Sequence, residues 1–277
     1  MKPNGETELP MISVLMGVLN CESTLDESIR SVLSQTESRW ELIVCDDGST
    51  DGTADVIRAW AEQYPGQIIF LQNDRNYGLS HTLNRCLEQA RGEYIARMDG
   101  DDRCAPDRFA KELASLEANP EIAIVSTDME CFDENGTWGL RQYPTDPQPA
   151  DLVHGTPFCH AACMVRTAAI RDVGGYSEAE DRARVEDYDL WVRMYAKGYH
   201  GRNIHEPLYA MRDDRDAAGR RLWKYRVNEA RVRLDAVRLL GLPKSKAVYA
   251  LRPLLLGLLP MGVYRFLHNR KLRKESA

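Results

Sequence analysis

The 277-residue chain lacks several features that would place it in a known class at once. No apolar h-region follows Met1. The stretch to Pro10 is polar, carries Pro3, Gly5 and Pro10, and reads as a disordered leader rather than a secretory signal. No CxxC pair occurs among the seven cysteines Cys21, Cys45, Cys86, Cys104, Cys131, Cys159 and Cys163. An odd, scattered set predicts free buried thiols in a reducing compartment, and Cys159 and Cys163 lack the second pair that a zinc site would need. No GxGxxG follows the first predicted strand, which disfavours a conventional dinucleotide enzyme. Neither an internal repeat nor a low-complexity tract is present. What remains is an ordinary globular composition, 43% hydrophobic and 28% charged, with length for one large core and a modest appendage.

The net charge of −6 conceals an asymmetry: residues 216–277 hold 15 Lys+Arg against 4 Asp+Glu, while the first 215 hold 21 against 38. A basic tail on an acidic body points to an anionic surface as partner. The tail carries no nucleic-acid-binding motif, so no nucleic acid is expected.

From Met11 onward short apolar runs alternate with helical patterns. Strands are predicted at Ile12–Val18, Glu41–Cys45, Ile68–Leu71 and Tyr94–Met98. Helices are predicted from Ser23 or Thr24 to Gln35, from Thr53 to Tyr64, from Leu79 to Ala90 with Gly92 as C-cap, and from Pro106 to Asn119. This order implies a mostly parallel sheet covered by helices on both faces, whose ligands bind beyond the carboxyl ends of the strands. Val18-Leu19-Asn20, Asp46-Asp47 and Asp99-Gly100-Asp101 all fall at such ends. Beyond Ile122 the pattern is less regular: a hairpin through Asp133-Glu134-Asn135-Gly136, a proline-rich loop with one short helix, a strand at Ala161–Val165, and an amphipathic helix from Val185 to Gly198 with Trp191 on its inner stripe.

Three acidic clusters carry the candidate chemistry. Asp99, Asp101 and Asp102 repel one another unless a hard cation, Mg²⁺ or Mn²⁺, resolves the conflict; otherwise they form an exposed acidic turn with Asp102 as a helix cap. Asp46-Asp47-Gly48-Ser49 is either a plain turn or a loop whose Asp47 accepts a hydrogen bond from a base or ribose. Glu186-Asp187 either complements a helix dipole or supplies a general base from one of the two carboxylates. Asp189 is expected to point elsewhere, and Arg97 and Arg103 to pair with nearby carboxylates.

Taken together, "ISVLMGVLN", "WELIVCDDGSTDGT", "NYGLSHTLNRCLEQARGEYIARMDGDD" and "VEDYDLWVRMYAKGY" resemble the family 2 glycosyltransferases of GT-A fold, the bacterial group that builds surface polysaccharides, over roughly residues 11–211. The resemblance implies an α/β, Rossmann-like nucleotide-diphospho-sugar transferase domain over residues 11–215. In it Val18, Asn20, Asp47, Asp99 and Gly100 bind the donor nucleotide, with Asp47 on the base (most often uracil) and Asp99 on the ribose or sugar. Asp101 would coordinate the divalent cation, Mn or Mg, and Asp187 would be the base of an inverting transfer to a glycan or lipid-linked acceptor. Glu186 and His160 would lie at the sugar or acceptor site. The chain departs from the pattern at Leu19, where the family often has an aromatic residue, so base stacking is weaker or comes from elsewhere. A sugar nucleotidyltransferase is the competing enzyme reading, but the glycine-rich loop it needs is replaced by Val18-Leu19-Asn20; a non-catalytic nucleotide-sugar-binding module is the third.

Residues 216–277 read as a basic amphipathic helical tail. Its apolar run Ala250–Tyr264 is too short to span, is broken by Pro253 and Pro260, and is flanked by Lys244, Lys246, Arg265, Arg270, Lys271, Arg273 and Lys274. An interfacial anchor, or else a helical cap on the catalytic domain or a dimer contact, follows. The expected location is cytoplasmic, peripheral at the inner face of the membrane.

Overall fold

The structure is a computed structural model that describes residues 10–213 and 222–258. The expected leader up to residue 9 and the cationic stretch beyond residue 258, with Pro260, Arg265, Arg270, Lys271, Arg273 and Lys274, lie outside the described residues.

The first half alternates as the apolar pattern dictates: β1 (Ile12–Val18), α1 (Leu25–Leu33), β2 (Trp40–Asp46), α2 (Thr53–Gln63), β3 (Ile68–Gln72), α3 (Leu79–Gln89) and β4 (Tyr94–Arg97). β1 pairs in parallel with both β2 and β4, and β2 with β3. Then come β5 (Arg103–Cys104), α4 (Arg108–Ala118), β6 (Ile122–Asp133), β7 (Gly136–Arg141), β8 (Met164–Arg166), α5 (Thr167–Asp172), α6 (Glu186–Ala196), β9 (His200–Arg212), α7 (Trp223–Leu239) and α8 (Leu251–Gly257). The strand order is β3-β2-β1-β4-β8-β6-β9-β5, with β7 beside β6. The second half mixes directions, since β8 runs antiparallel to both β4 and β6 whereas β6 and β9 are parallel.

Both sheet faces are covered. Ile12, Val14 and Met16 of β1 pack with Leu25, Ile29, Ile57, Trp60, Phe109 and Leu113 from α1, α2 and α4. Leu15 and Ile43 face the opposite side, with Leu83, Ile170, Leu190, Trp191, Val232 and Ala236 from α3, α5, α6 and α7. Burial on both faces favours the near-continuous apolar runs of β1 and β2, and the buried polar pair within them is satisfied, Ser13 Oγ donating to Glu41 Oε1 at 2.6 Å.

Several boundaries differ from expectation. Gly92 is not a helix cap: α3 ends at Ala90 in extended conformation, and a Cβ on Gly92 would come within 2.6 Å of the Ser13 amide nitrogen. The glycine is there for close passage of the chain under β1. Pro106 precedes rather than opens α4, whose N-cap is Asp107, and its carbonyl accepts from the Thr36 amide at 2.8 Å. The strand expected at Ala161–Val165 begins only at Met164, because His160–Ala162 forms a 3₁₀ turn. The helix α7 packs on the catalytic domain as the helical-cap alternative has it, since Val232, Ala236 and Val237 belong to the second core.

Candidate active site

The carboxyl ends of β1, β2 and β4 meet where the strand order reverses around β1, so the loops leaving them open a crevice. At the β1 end, Asn20 adopts a left-handed φ of 53°. Its amide donates to Ser49 Oγ at 2.8 Å, and its Oδ1 accepts from the Thr50 amide at 2.9 Å. Asn20 thus ties the β1 loop to the Asp46–Thr50 turn, while the Val18 carbonyl accepts from the Asp47 amide at 2.8 Å. Leu19, where an aromatic was wanted, stands exposed at the rim.

Asp47 is buried and largely engaged. Its Oδ1 accepts from Asn73 Nδ2 at 2.7 Å and from the Tyr77 amide at 2.9 Å, and its Oδ2 from the Gly78 amide at 2.8 Å. A carboxylate offers about four acceptor positions, so one remains for a ligand. This latch also sets Tyr77, a residue 43% exposed, with the Arg75 guanidinium 4.7 Å over its ring and the His81 ring 4.7 Å away. Sequence reading missed Tyr77, although "NYG" ahead of α3 was the available signal.

The acidic cluster follows β4, and its three carboxylates have separate fates. Asp99 is held by the buried Arg97, whose Nη2 donates to Oδ1 at 2.5 Å. Asp102 is no helix cap: it is buried, accepts from the Tyr209 hydroxyl at 2.8 Å and the Arg212 amide at 2.7 Å, and so fastens the cluster to β9. Tyr209 also accepts from the Asp99 amide at 3.1 Å. Asp101 has no ion pair among the described residues and is exposed, its own backbone amide being the hydrogen-bond donor to it. Desolvation by the surrounding protein, and then the Asp99 charge, still push its carboxyl up. Gly100 lets this turn lie against β1, since a Cβ there would meet Val18 Cγ1 at 2.6 Å.

These residues fit a divalent cation in one specific manner. Among the described residues no group of three or more acidic, histidine or cysteine side chains could enclose a metal. Mg²⁺ characteristically takes only one or two carboxylates, with water and substrate phosphate completing the shell. One available carboxylate, raised by desolvation and then by the Asp99 charge, matches that donor set.

Across the rim, α6 presents Glu186 and Asp187 in its first turn. Burial first, and the Glu186 charge second, push the Asp187 carboxyl up to about 7, against the lowering effect of the first-turn amides. Burial also raises Glu186, with Arg184 and Arg97 opposing. His160 Nε2 lies 2.9 Å from the Tyr176 hydroxyl, and burial and then Arg97 hold the ring's pKa well below its usual value, so it is neutral. Arg97 is therefore the cation shared by the Asp99 side and the Glu186–His160 side. Asp189 turns away as expected and pairs with Arg182 and Arg193. Trp191 is core, edge-on to Phe158 at 5.6 Å. Arg103 pairs with Glu27 at 3.0 Å and Arg97 with Asp99, as the sequence suggested. Tyr209 and Arg212 were missed: they sit 107 and 110 residues from Asp102 in sequence, and no local pattern links them.

Comparison with known proteins now bears on this arrangement. The profile described as "Glycosyl transferase family 2" matches residues 13–174, and that of "Glycosyl transferase family group 2" matches residues 94–262. The chain is 42% identical to EpsE of Bacillus subtilis (strain 168) over 96% of both proteins. It is 31% identical to an Escherichia coli UDP-Gal:alpha-D-GlcNAc-diphosphoundecaprenol beta-1,3-galactosyltransferase, over 80% of this chain and 82% of the relative. The fold matches that of the mannosyltransferase PcManGT from Pyrobaculum calidifontis, solved with GDP-Man and Mn²⁺, with a TM-score of 0.60 at 20% identity over 93% of this chain and 79% of that one. With a family profile spanning more than half of its residues and relatives matched along nearly their whole length, the chain belongs to glycosyl transferase family 2 and has the GT-A fold.

Proposed function

We propose that this glycosyltransferase moves a sugar from a nucleoside-diphosphate donor, with uridine as base, to a hydroxyl of a lipid-linked or growing surface glycan, inverting the anomeric carbon. One observation carries the reading: the buried Arg97 pairs with Asp99 beside the exposed Asp101, and its charge also reaches Glu186, next to Asp187, whose carboxyl burial pushes up to about 7. The relative named for a UDP-Gal donor and a diphosphoundecaprenol acceptor supports the donor and acceptor classes, and the Mn²⁺ in PcManGT supports the metal.

Each residue has a part. The remaining acceptor position of Asp47 reads the base, while the exposed Tyr77 ring supplies the stacking face that Leu19 cannot. Val18, Asn20 and Gly100 shape the backbone around the nucleotide, and Arg97 aims Asp99 at the ribose or sugar. Asp101 would hold a divalent cation, Mn²⁺ or Mg²⁺, which as a Lewis acid offsets the charge on a departing diphosphate. Asp187 takes the proton of the attacking hydroxyl, and a pKa near the operating pH suits a general base, worth roughly 10²–10⁴-fold in rate. Neutral His160 and the neighbouring Glu186 line the acceptor side. The resemblance to family 2 glycosyltransferases supports a single displacement with Asp187 as its base.

No helix among the described residues is long and apolar enough to cross a membrane. Contact with an anionic lipid surface would instead use the apolar face of the 3₁₀ stretch Lys244–Ala250 and α8, where Val248, Leu251, Leu255 and Leu258 are exposed beside Lys244, Lys246 and Arg252. That placement fits peripheral work at the inner membrane face. The direct test is a panel of UDP-glucose, UDP-galactose, UDP-N-acetylglucosamine and GDP-mannose with Mn²⁺, scored by released nucleoside diphosphate. Turnover of one UDP-sugar is expected; turnover of none removes the donor assignment.

A further inference from the structure

We infer that Arg182 and helix α7 act as a clamp that positions α6, and with it Asp187, making Arg182 a positioning residue for the transfer. The inference rests on Asp187 being the base.

The start of α6 is poorly secured by its own sequence. Its N-cap, Val185, makes no side-chain cap hydrogen bond, and the residue before it, Arg184, sits at a left-handed φ of 66°. A non-glycine residue persists in that region only when its surroundings hold it there. The holding groups come from α7. Asn228, buried on α7, donates from Nδ2 to the Ala183 carbonyl at 3.1 Å and the Glu180 carbonyl at 3.4 Å.

Arg182 then joins the two helices directly. Its Nε donates to Asp189 Oδ1 on α6 at 2.9 Å, and its Nη2 to Asp235 Oδ2 on α7 at 2.7 Å. Asp189 lies two residues past Asp187, and its second oxygen accepts from Arg193 Nε at 2.7 Å. A planar guanidinium engaged at both edges fixes direction as well as distance, which a lysine cannot do.

The other flank of α6 is held through the same helix. The Tyr188 hydroxyl, next to Asp187, donates to the Leu152 carbonyl. The following carbonyls, Val153 and His154, accept from the buried Arg233 of α7 at 2.7 and 2.9 Å. Both anchors of the catalytic turn therefore end on α7. Misplacing a reacting group by about 1 Å can cost 10²-fold, so a clamp outside the crevice has leverage on rate without touching substrate.

The test uses the full chain with Arg182→Ala, Arg182→Lys and Asp235→Asn. Amide hydrogen exchange across residues 183–190 should quicken in Arg182→Ala while the β1–β4 amides are unchanged. Calorimetry with UDP and Mn²⁺ should give an affinity within about twofold of wild type, and kcat with the fastest UDP-sugar of the panel should fall by about tenfold or more at constant donor KM. Arg182→Lys and Asp235→Asn should fall between Arg182→Ala and wild type. Unchanged exchange at α6, or parallel losses in UDP affinity, kcat and overall exchange, would overturn the clamp. Asp187→Asn separates the two claims: if it transfers normally, the base assignment fails, and the exchange data still decide the clamp.

Discussion

Asp187 shows how burial shifts a single carboxyl. Its carboxyl stands at about 7 where a solvated aspartate stands at 3.8, so its basic form is complete only above neutrality. The kcat of transfer should rise about tenfold per pH unit below 7 and level off above it. A flat profile from pH 5 to 8 would contradict the assignment. The same shift governs stability. The folded state binds the extra proton between the two values, so stability is lost as pH rises through that window and the full cost is present at pH 8. Asp187→Asn should therefore abolish transfer, retain UDP binding, and raise the melting temperature at pH 8 by about 2–4 °C per ~1 kcal/mol recovered, with the gain vanishing near pH 4. Calorimetric melts at the two pH values check it. Asp99, Asp101 and Asp187 were legible in the sequence because acidic residues at strand ends and a helix start are visible locally. Asp47 was singled out in the same way, but the internal partners of Asp102 and Asp47 were not, because β9 and the Asn73–Gly78 loop are brought in by the fold.

Beneath the acidic turn, α4 carries a charge pair that secures β4. Arg108 and Glu112 are wholly buried and 3.2 Å apart, and Arg108 also donates to the Arg97 carbonyl at 3.0 Å and the Cys163 carbonyl at 3.3 Å. Burial pushes Glu112 up to about 7 despite the guanidinium. Arg108→Met should destabilise by about 3–5 kcal/mol, because it leaves Glu112 buried without its charge partner, while Arg108→Met with Glu112→Leu should cost clearly less. Urea melts of the two variants decide it; equal losses would mean that the pair itself does not matter. At this scale the helices α1 to α4 and strands β1 to β4 were readable from periodicity. β9 was not, since Pro207, Gly201 and three pairing irregularities break the alternation that marks a strand, and much of its length is only half covered.

For the molecule as a whole, helix α7 of the basic extension is built into the same core as α6. The apolar face of α8 is the part left over. Leu255 and Leu258 are 62% and 72% exposed there, beyond what a lone surface leucine needs by way of explanation. Replacing Leu251, Leu255 and Leu258 with glutamate should weaken sedimentation with phosphatidylglycerol vesicles by about tenfold or more and leave UDP affinity intact. Unaltered vesicle binding would move the contact elsewhere. The helical character of this extension was legible in its sequence, but its division of labour was not: burial of Asn228, Arg226 and Arg233 turns polar residues of α7 inward.

The central claim, a metal-assisted nucleotide-sugar site at the carboxyl edge of the sheet, is met most directly by titrating UDP into the intact protein with Mn²⁺, with EDTA, and into Asp101→Asn with Mn²⁺. The account predicts one saturable site with Mn²⁺, weakened by about tenfold or more both by EDTA and by the substitution. Equal binding under all three conditions, or no binding of UDP with Mn²⁺, would contradict it.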